Sequence, residues 1–326
     1  MRLKSPGLAN KAMSHSTQQG ERGFAASPIL SALRKRLPWF HGDTAIAFLV
    51  LIPSIVAVAI FIYGFILWTG YVSLVKWDTA IEDYTFVGLR NWIQLFTMER
   101  FHWDLRSLVL YALGFMSQCI IFGFLIAVLL DQKIKGEALF RTIVIFPFAV
   151  SSVVTGVAWR WLMQPTTGIN LLLQKIGFEN FYFEWNANPK WGILAISVAA
   201  AWQFTGYIMA LYLAALRGIP DELREAARVD GAGTWGLYRR IIIPLLRPVT
   251  FTAVVLTGMG SIRVFDLVTI LRGPAFTTDT LAFHMYQSIF GLYRFSLAAA
   301  VGFFMVFLSS FLVAPYLHSM NLEAEQ

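Results

Sequence analysis

Cysteine is all but missing from this chain of 326 residues, and charge is scarce. The single cysteine, Cys119, allows neither an intrachain disulfide nor a thiolate metal cage, and its apolar surroundings mark it as a small packing residue. Asp, Glu, Lys and Arg make up 14% of the residues, where soluble domains carry roughly 25%. A chain that is 57% hydrophobic cannot wet its surface with so few charges. Disorder, a collagen-like fibre, a disulfide scaffold and a soluble two-domain enzyme are all excluded. No G-x-x-x-x-G-K-S/T stretch is present to cradle nucleotide phosphates. The net charge of +7 then fits anionic lipid and membrane topology, and no nucleic-acid partner is expected.

What the chain has instead is long apolar runs. Six windows, at about 45–68, 108–130, 142–162, 191–216, 249–271 and 297–317, are each long enough to cross a hydrocarbon core of ~30 Å as a helix. In lipid they must be helical, because an open strand edge leaves its backbone unsatisfied. Pro53 falls in the first window and Pro147 in the third, where either can kink its helix. The expected fold is an all-α membrane protein with six transmembrane helices.

Residues 1–43 read as a disordered basic cytoplasmic tail with no cleavage site after its short apolar stretch, so no removed signal peptide is expected. The transmembrane domain takes 44–318, and 319–326 form a short cytoplasmic tail. With both termini inside, sixteen of the 26 Lys and Arg lie on the cytoplasmic side and eight on the other. Arg34, Lys35 and Arg36 before the first span set the orientation most strongly. Trp68, Trp77, Trp159, Trp161, Trp185 and Trp191 gather near the outer edges, as interfacial anchors do.

One connection, 217–248, is longer than a hairpin needs, and such loops usually carry function. Pro220 suits a first helical turn, with Asp221 and Glu222 at the positive end of the dipole. Leu223, Ala226 and Ala227 fall on one face, with Arg224, Glu225 and Arg228 pointing elsewhere. Gly231 and Gly233 end the helix, and a second amphipathic stretch around 235–243 returns to Pro244. The small face of Ala226 and Ala227 would let another protein's backbone come close; an interfacial helix lying on lipid is the alternative.

Glu225-Ala226-Ala227, Asp230-Gly231-Ala232 and Ile241 to Pro244, at these spacings, resemble the EAA loop of binding-protein-dependent ABC importer permeases, in particular the maltose and glycerol-phosphate kind. Phe140-Arg141, Trp202 to Gly206, Phe265-Asp266-Leu267 and Gly273-Pro274 add to the likeness, which covers roughly 45–317. It implies a type I ABC importer permease fold in the bacterial inner membrane. The 225–231 segment would be a coupling helix seated in a cytoplasmic ATPase. Glu225 would make polar contacts there, Ala226 and Ala227 would allow close packing and Gly231 would permit the turn, with Asp230, Ala232 and Pro244 belonging to the same ATPase-coupling set. The implied partners are a second homologous permease, a dimeric ATPase that uses ATP and Mg, an extracytoplasmic sugar-binding protein docking around 76–106 and 272–294, and membrane lipid. No cofactor is expected in this chain and no catalytic or metal site.

Charges at bilayer depth cost about 2.5–3.5 kcal/mol each on insertion scales. Arg263 and Asp266, three residues apart in the fifth window, are expected to share a helix face, either as a self-neutralising ion pair or as the polar lining of a solute cavity. The resemblance favours a sugar-lining role, although the matching positions of maltose-type permeases are amides. Trp202, Thr205, Gly206 and Met209 share a face of the fourth span. Trp202 could stack on a sugar ring and Gly206 could admit the ring close to the backbone; ordinary bundle packing is the competing view. Ser152 and Met259 complete the expected pocket.

Two rivals are weaker. An intramembrane enzyme needs convergent ligands or nucleophiles at depth, and His15, His41, His102, His284 and His318 fall in tails, connections or span ends. An ion-coupled secondary carrier commonly shows several buried acids, and Asp266 is the only acid in the six windows.

Overall fold

A computed structural model describes residues 42–132, 134–273 and 276–324, with side chains over 50–315. Nearly all of the expected tail 1–43, and Pro274, lie outside the described residues. Two compact units part between Gly64 and Phe65, inside the first expected span. The first unit is helix α1 (Gly42–Val58), which carries Pro53 and widens into a π turn at Ala59–Gly64. Its described side chains, among them Ile55, Phe61 and Tyr63, are all exposed. A helix so apolar along residues 45–58, with its described side chains exposed, suits a non-aqueous neighbour.

In the second unit, α2 (Phe65–Val72) is followed by the short α3 (Arg90–Thr97) and then by α4 (Glu99–Asp131). At 1.5 Å per residue α4 is about 50 Å long, and it starts nine residues before the span expected at 108–130. It packs side by side with α8 (Gly192–Arg217). Gly114 faces Leu194 and Ser197, and Gly123 faces Ile208 and Met209, so the two helices run in the same direction. Their small residues bring the backbones close, and Tyr111, Phe115, Cys119, Ile196, Ile208 and Leu213 fill the seam. Among the described residues the only β pairing is an isolated bridge between Val75 and Phe86.

Two expected spans are not single helices. The third is α5 (Glu137–Ala149) followed by α6 (Ser152–Leu162), bent by 98° across Val150 and Ser151. Pro147 lies in the last turn of α5; Val150 is extended, and the Ser151 hydroxyl accepts from the Val153 amide to start α6. The fifth, expected as one helix over 249–271, is α12 (Arg247–Ile262) and α13 (Asp266–Leu271) separated by Arg263, Val264 and Phe265. Phe265, at φ −131° and ψ −64°, leaves the helical region, and Asp266 restarts the helix with an acid in its first turn.

Between α8 and α12 lie α9 (Asp221–Val229), α10 (Thr234–Leu237), a π turn at Tyr238–Ile242 and α11 (Ile243–Leu245). The last of these bends by 64° into α12. A short α7 (Ile169–Lys175) caps the turn after α6. The connection expected at 272–294 holds a partly buried helix, α14 (Leu281–Phe290), and α15 (Phe295–Ala324) ends the chain. α15 runs through most of the expected tail 319–326, so that segment is helical as far as Ala324. Among the described residues four helices are long and apolar enough to cross a membrane, or up to six crossings if each bent pair counts as one.

Candidate coupling segment and solute path

α9 stands on charge pairs at its base. Arg224 donates to Asp131 Oδ2 at 2.7 Å, at the end of α4, and to the Leu216 carbonyl at 2.8 Å, at the end of α8. Arg217 meets Glu137 Oε1 at 2.7 Å, and Arg141 binds the same oxygen. Arg224 therefore anchors one side of α9 to the ends of α4 and α8 by partly buried, charge-assisted bonds, and the Arg217–Glu137 pair ties α8 to the start of α5. The face expected from the sequence is corrected by this arrangement. Arg224 points inward, because Asp131 waits there, whereas Leu223 and Val229 are exposed. Ala227 is buried among core residues with Leu237 and Ile242, so it docks the helix on its own chain and is not free for a partner. Ala226, Glu225 and Asp230 remain exposed.

Gly231 turns the chain with φ +79°, a left-handed conformation that L side chains rarely adopt, while a Cβ there would meet nothing within 4 Å. The turn is closed by the Ala232 amide donating to the Ala227 carbonyl at 2.9 Å. Gly233 has ordinary extended backbone, so only the first of the two glycines is demanded by geometry. Ala232 and Pro244 are half-buried. Glu225 and Arg228, together with Asp131, Glu137 and Arg217, line a groove of about 1350 Å³ beside α9.

The expected solute residues separate into two places. Arg263 is the C-cap of α12 and Asp266 the first residue of α13. Both are exposed, and no ion pair joins them among the described residues. The shared helix face is thus overturned: the break at 263–265 removes the 3.6-residue repeat that would have aligned them. Met259, whose carbonyl accepts from the Arg263 amide at 3.3 Å, is half-buried one turn earlier. Ser152 starts α6, which packs on α13 with Gly156 against Ile270.

Trp202 and Thr205 face a different, largely apolar groove of about 420 Å³, shared with Gln118, Ile143, Pro147 and Trp159. Trp202 is 46% exposed and meets Trp159 edge-on at 6.1 Å. Thr205 donates to the Ala201 carbonyl at 2.6 Å, within its own helix. Gly206 lines the same groove but does not hold its backbone open for a ring: a Cβ there would lie 2.1 Å from the Val144 carbonyl oxygen, so the missing side chain lets α5 cross α8. Met209 is fully buried in the α4–α8 seam, with its backbone against Gly123. The spacing of 202, 205, 206 and 209 did mark one helix face, but that face is mostly filled by other helices of the same chain.

Residues 119–319 match the family model described as the binding-protein-dependent transport system inner membrane component. The chain belongs to that family. The permease is 38% identical over 279 residues to a probable ABC transporter permease protein of Pyrococcus horikoshii, covering 85% of this chain and 96% of that one. It is 32% identical over 271 residues to a xylose/arabinose import permease protein of Haloferax volcanii, covering 81% and 84%. Its fold matches a chain of a bacterial alginate ABC transporter, solved in complex with an alginate pentasaccharide-bound periplasmic protein. The TM-score there is 0.73 at 22% identity, over 85% of this chain and 94% of the other. The permease is accordingly a multi-pass membrane transport subunit and not an enzyme.

Several polar residues of the permease have partners that the sequence did not announce. Gln203 donates to the Val150 carbonyl at 2.7 Å, which the bend between α5 and α6 has freed. Asp104 and His284, both buried, meet at 2.5 Å between α4 and α14. Asp279 accepts from Arg100 at 2.7 Å and from Arg272 at 2.9 Å. These partners are 53 to 180 residues apart along the chain or sit in a connection read as a simple loop, and only Asp104 and His284 share the marker of charge near an apolar run.

Proposed function

We propose that this permease imports a sugar in an ATP-driven assembly, receiving it from an extracytoplasmic solute-binding protein. The observation that carries this is α9: an exposed, charged helix of one chain, pinned at its base to the ends of two long helices and turned by Gly231, in a chain with no phosphate-binding loop of its own. Such a helix has a mechanical use only if a neighbour grips it. The neighbour is a dimeric cytoplasmic ATPase, with ATP and Mg in its own sites, and a second homologous permease completes the channel. Both termini face the cytoplasm, in keeping with the distribution of Lys and Arg. Glu225, Ala226 and Asp230 make the contact, and Ala227, Ala232 and Pro244 hold the segment in shape.

A sugar cargo is supported by the xylose/arabinose permease of Haloferax volcanii among its relatives. The solute path runs past the 263–266 break, where Arg263, Asp266, Ser152 and Met259 offer polar and soft groups on ends of broken helices. A neutral or weakly polar sugar fits two opposite charges that are both exposed and unpaired with each other. Gly206 and Met209 serve packing, and Trp202 with Thr205 borders the apolar groove. ATP binding and hydrolysis in the motor shift the permease between inward-open and outward-open states, which the solute-loaded receptor biases by binding one of them better.

The test is uptake of glucose, xylose, maltose and trehalose by cells depleted of ATP while their ion gradients are kept. Import that stops supports the motor-driven reading; import that continues would sink it in favour of an ion-coupled carrier.

A further inference from the structure

Thr278, Asp279 and Thr280 form a polar tripeptide in which each residue is 1% exposed. Burying three polar side chains in a row is costly unless each is bonded, and here the bonds reach α4, the end of α13 and the break before it. The Thr278 hydroxyl accepts from the Gly273 amide at 3.0 Å, just beyond α13. Asp279 accepts from Arg100 at the start of α4 and from Arg272 at the end of α13. Ser107 of α4 donates to the Thr277 carbonyl at 3.0 Å. The Thr280 hydroxyl donates to the Val264 carbonyl at 3.1 Å, the middle residue of the break between α12 and α13.

Thr280 occupies the N-cap position of α14, where a threonine hydroxyl ordinarily accepts from the first turn of its helix. It makes no such bond. Its side-chain bond is to the break instead, and it holds a carbonyl that an unbroken helix would have used internally. We propose that Thr280 is a positioning residue for transport: through its hydroxyl, the segment 276–280 sets the shape of the Arg263–Asp266 break. Asp279, clamped from α4 and from Arg272, keeps that hydroxyl in place. A shift of the 276–280 segment then reaches the Val264 carbonyl of the break directly, through the Thr280 hydroxyl. The transport consequence rests on the reading of that break as the solute path; the geometric claim does not.

The permease assembled with its ATPase in lipid vesicles allows both parts to be measured. In a Cys119→Ala background, the thiol of Arg263→Cys is reacted with a charged methanethiosulfonate. Thr280→Val, which keeps the volume and removes the hydroxyl, should change the reaction rate at least fivefold, and Thr280→Ser should stay within twofold. If Thr280→Val does not reach the membrane, Thr280→Ala removes the same group without bulk and carries the same expectation. A rate unchanged within twofold in an assembled hydroxyl-less variant overturns the proposal.

Uptake of the sugar panel is then measured with Arg263 restored. Thr280→Val should raise KM at least threefold with kcat changed less than twofold, and Thr280→Ser should restore it. An altered thiol rate with unchanged KM keeps the strut and removes the solute path from the break. A fall in kcat alone, not restored by serine, overturns the positioning role.

Discussion

Arg224 and Asp131 join α9 to the far end of α4 across 2.7 Å, and the same α4 begins at Arg100 with a 2.7 Å bond to Asp279. One rigid helix about 50 Å long thus carries an ion pair near each end. The first fastens α9 and the second fastens the 276–280 segment beside the α12–α13 break. A displacement of α9 is passed to α4 without a flexible joint, since the Leu216 carbonyl of the parallel α8 binds the same guanidinium. A charge pair of this kind contributes most when neither partner is left unpaired.

Arg224→Ala leaves Asp131 in a site where its side chain is 6% exposed. The loss of charge-assisted bonds should cost about 1.5–3 kcal/mol of α9 docking. Limited proteolysis at the 217–248 connection should accelerate by about tenfold or more, while the apolar helices stay inserted. Equal proteolysis rates in the two proteins would show that α9 is held by packing alone.

Gly231→Val should abolish ATP-driven uptake, and Gly231→Asn should retain a substantial part of it. Nothing crowds a side chain there, so the penalty is conformational, roughly 1–2 kcal/mol for ordinary residues and less for asparagine. Uptake rates with matched membrane levels of the two variants decide this. Equal losses in both would mean that the partner's surface, not the backbone, requires glycine.

Gly206→Ala should lower thermal stability, by about 1–3 kcal/mol, because its Cβ collides with the Val144 carbonyl of α5. Sugar preference should be unchanged. A variant of normal stability with altered preference would return this position to the solute path.

Arg263→Ala should weaken uptake or change which sugar is preferred, with assembly on the ATPase intact. Because Arg263 is exposed and in none of the ion pairs seen among the described residues, its removal should shift stability by no more than about 0.5 kcal/mol. Co-purification with the ATPase and a thermal melt separate the two effects; a failed assembly would point to a structural role.

The helix start and the glycine turn of the 217–248 connection were legible in the sequence, although the face that the helix turns inward was not. Pro220, Asp221 and Glu222 announce a helix start and Gly231 its end, since caps and left-handed turns depend on local chain chemistry. The apolar windows were equally plain in number. Their continuity was not: Pro147 hinted at a bend, but no residue in 263–265 forbids helix, and the break there stands because Thr280, sixteen residues away, takes up a carbonyl. Two inward assignments failed for the same reason. Arg224 looked like a surface charge until Asp131 supplied its partner, and Gly206 looked open until α5 arrived against it.

Local order, the long apolar runs and the helix and turn within the 217–248 connection follow from composition, periodicity and spacing, which depend on neighbours a few residues apart. Which charges face inward, where helices break and which glycines are filled by a neighbour were decided only by packing. Those outcomes depend on groups brought together from distant parts of the chain, and a buried polar atom takes whichever partner the fold delivers.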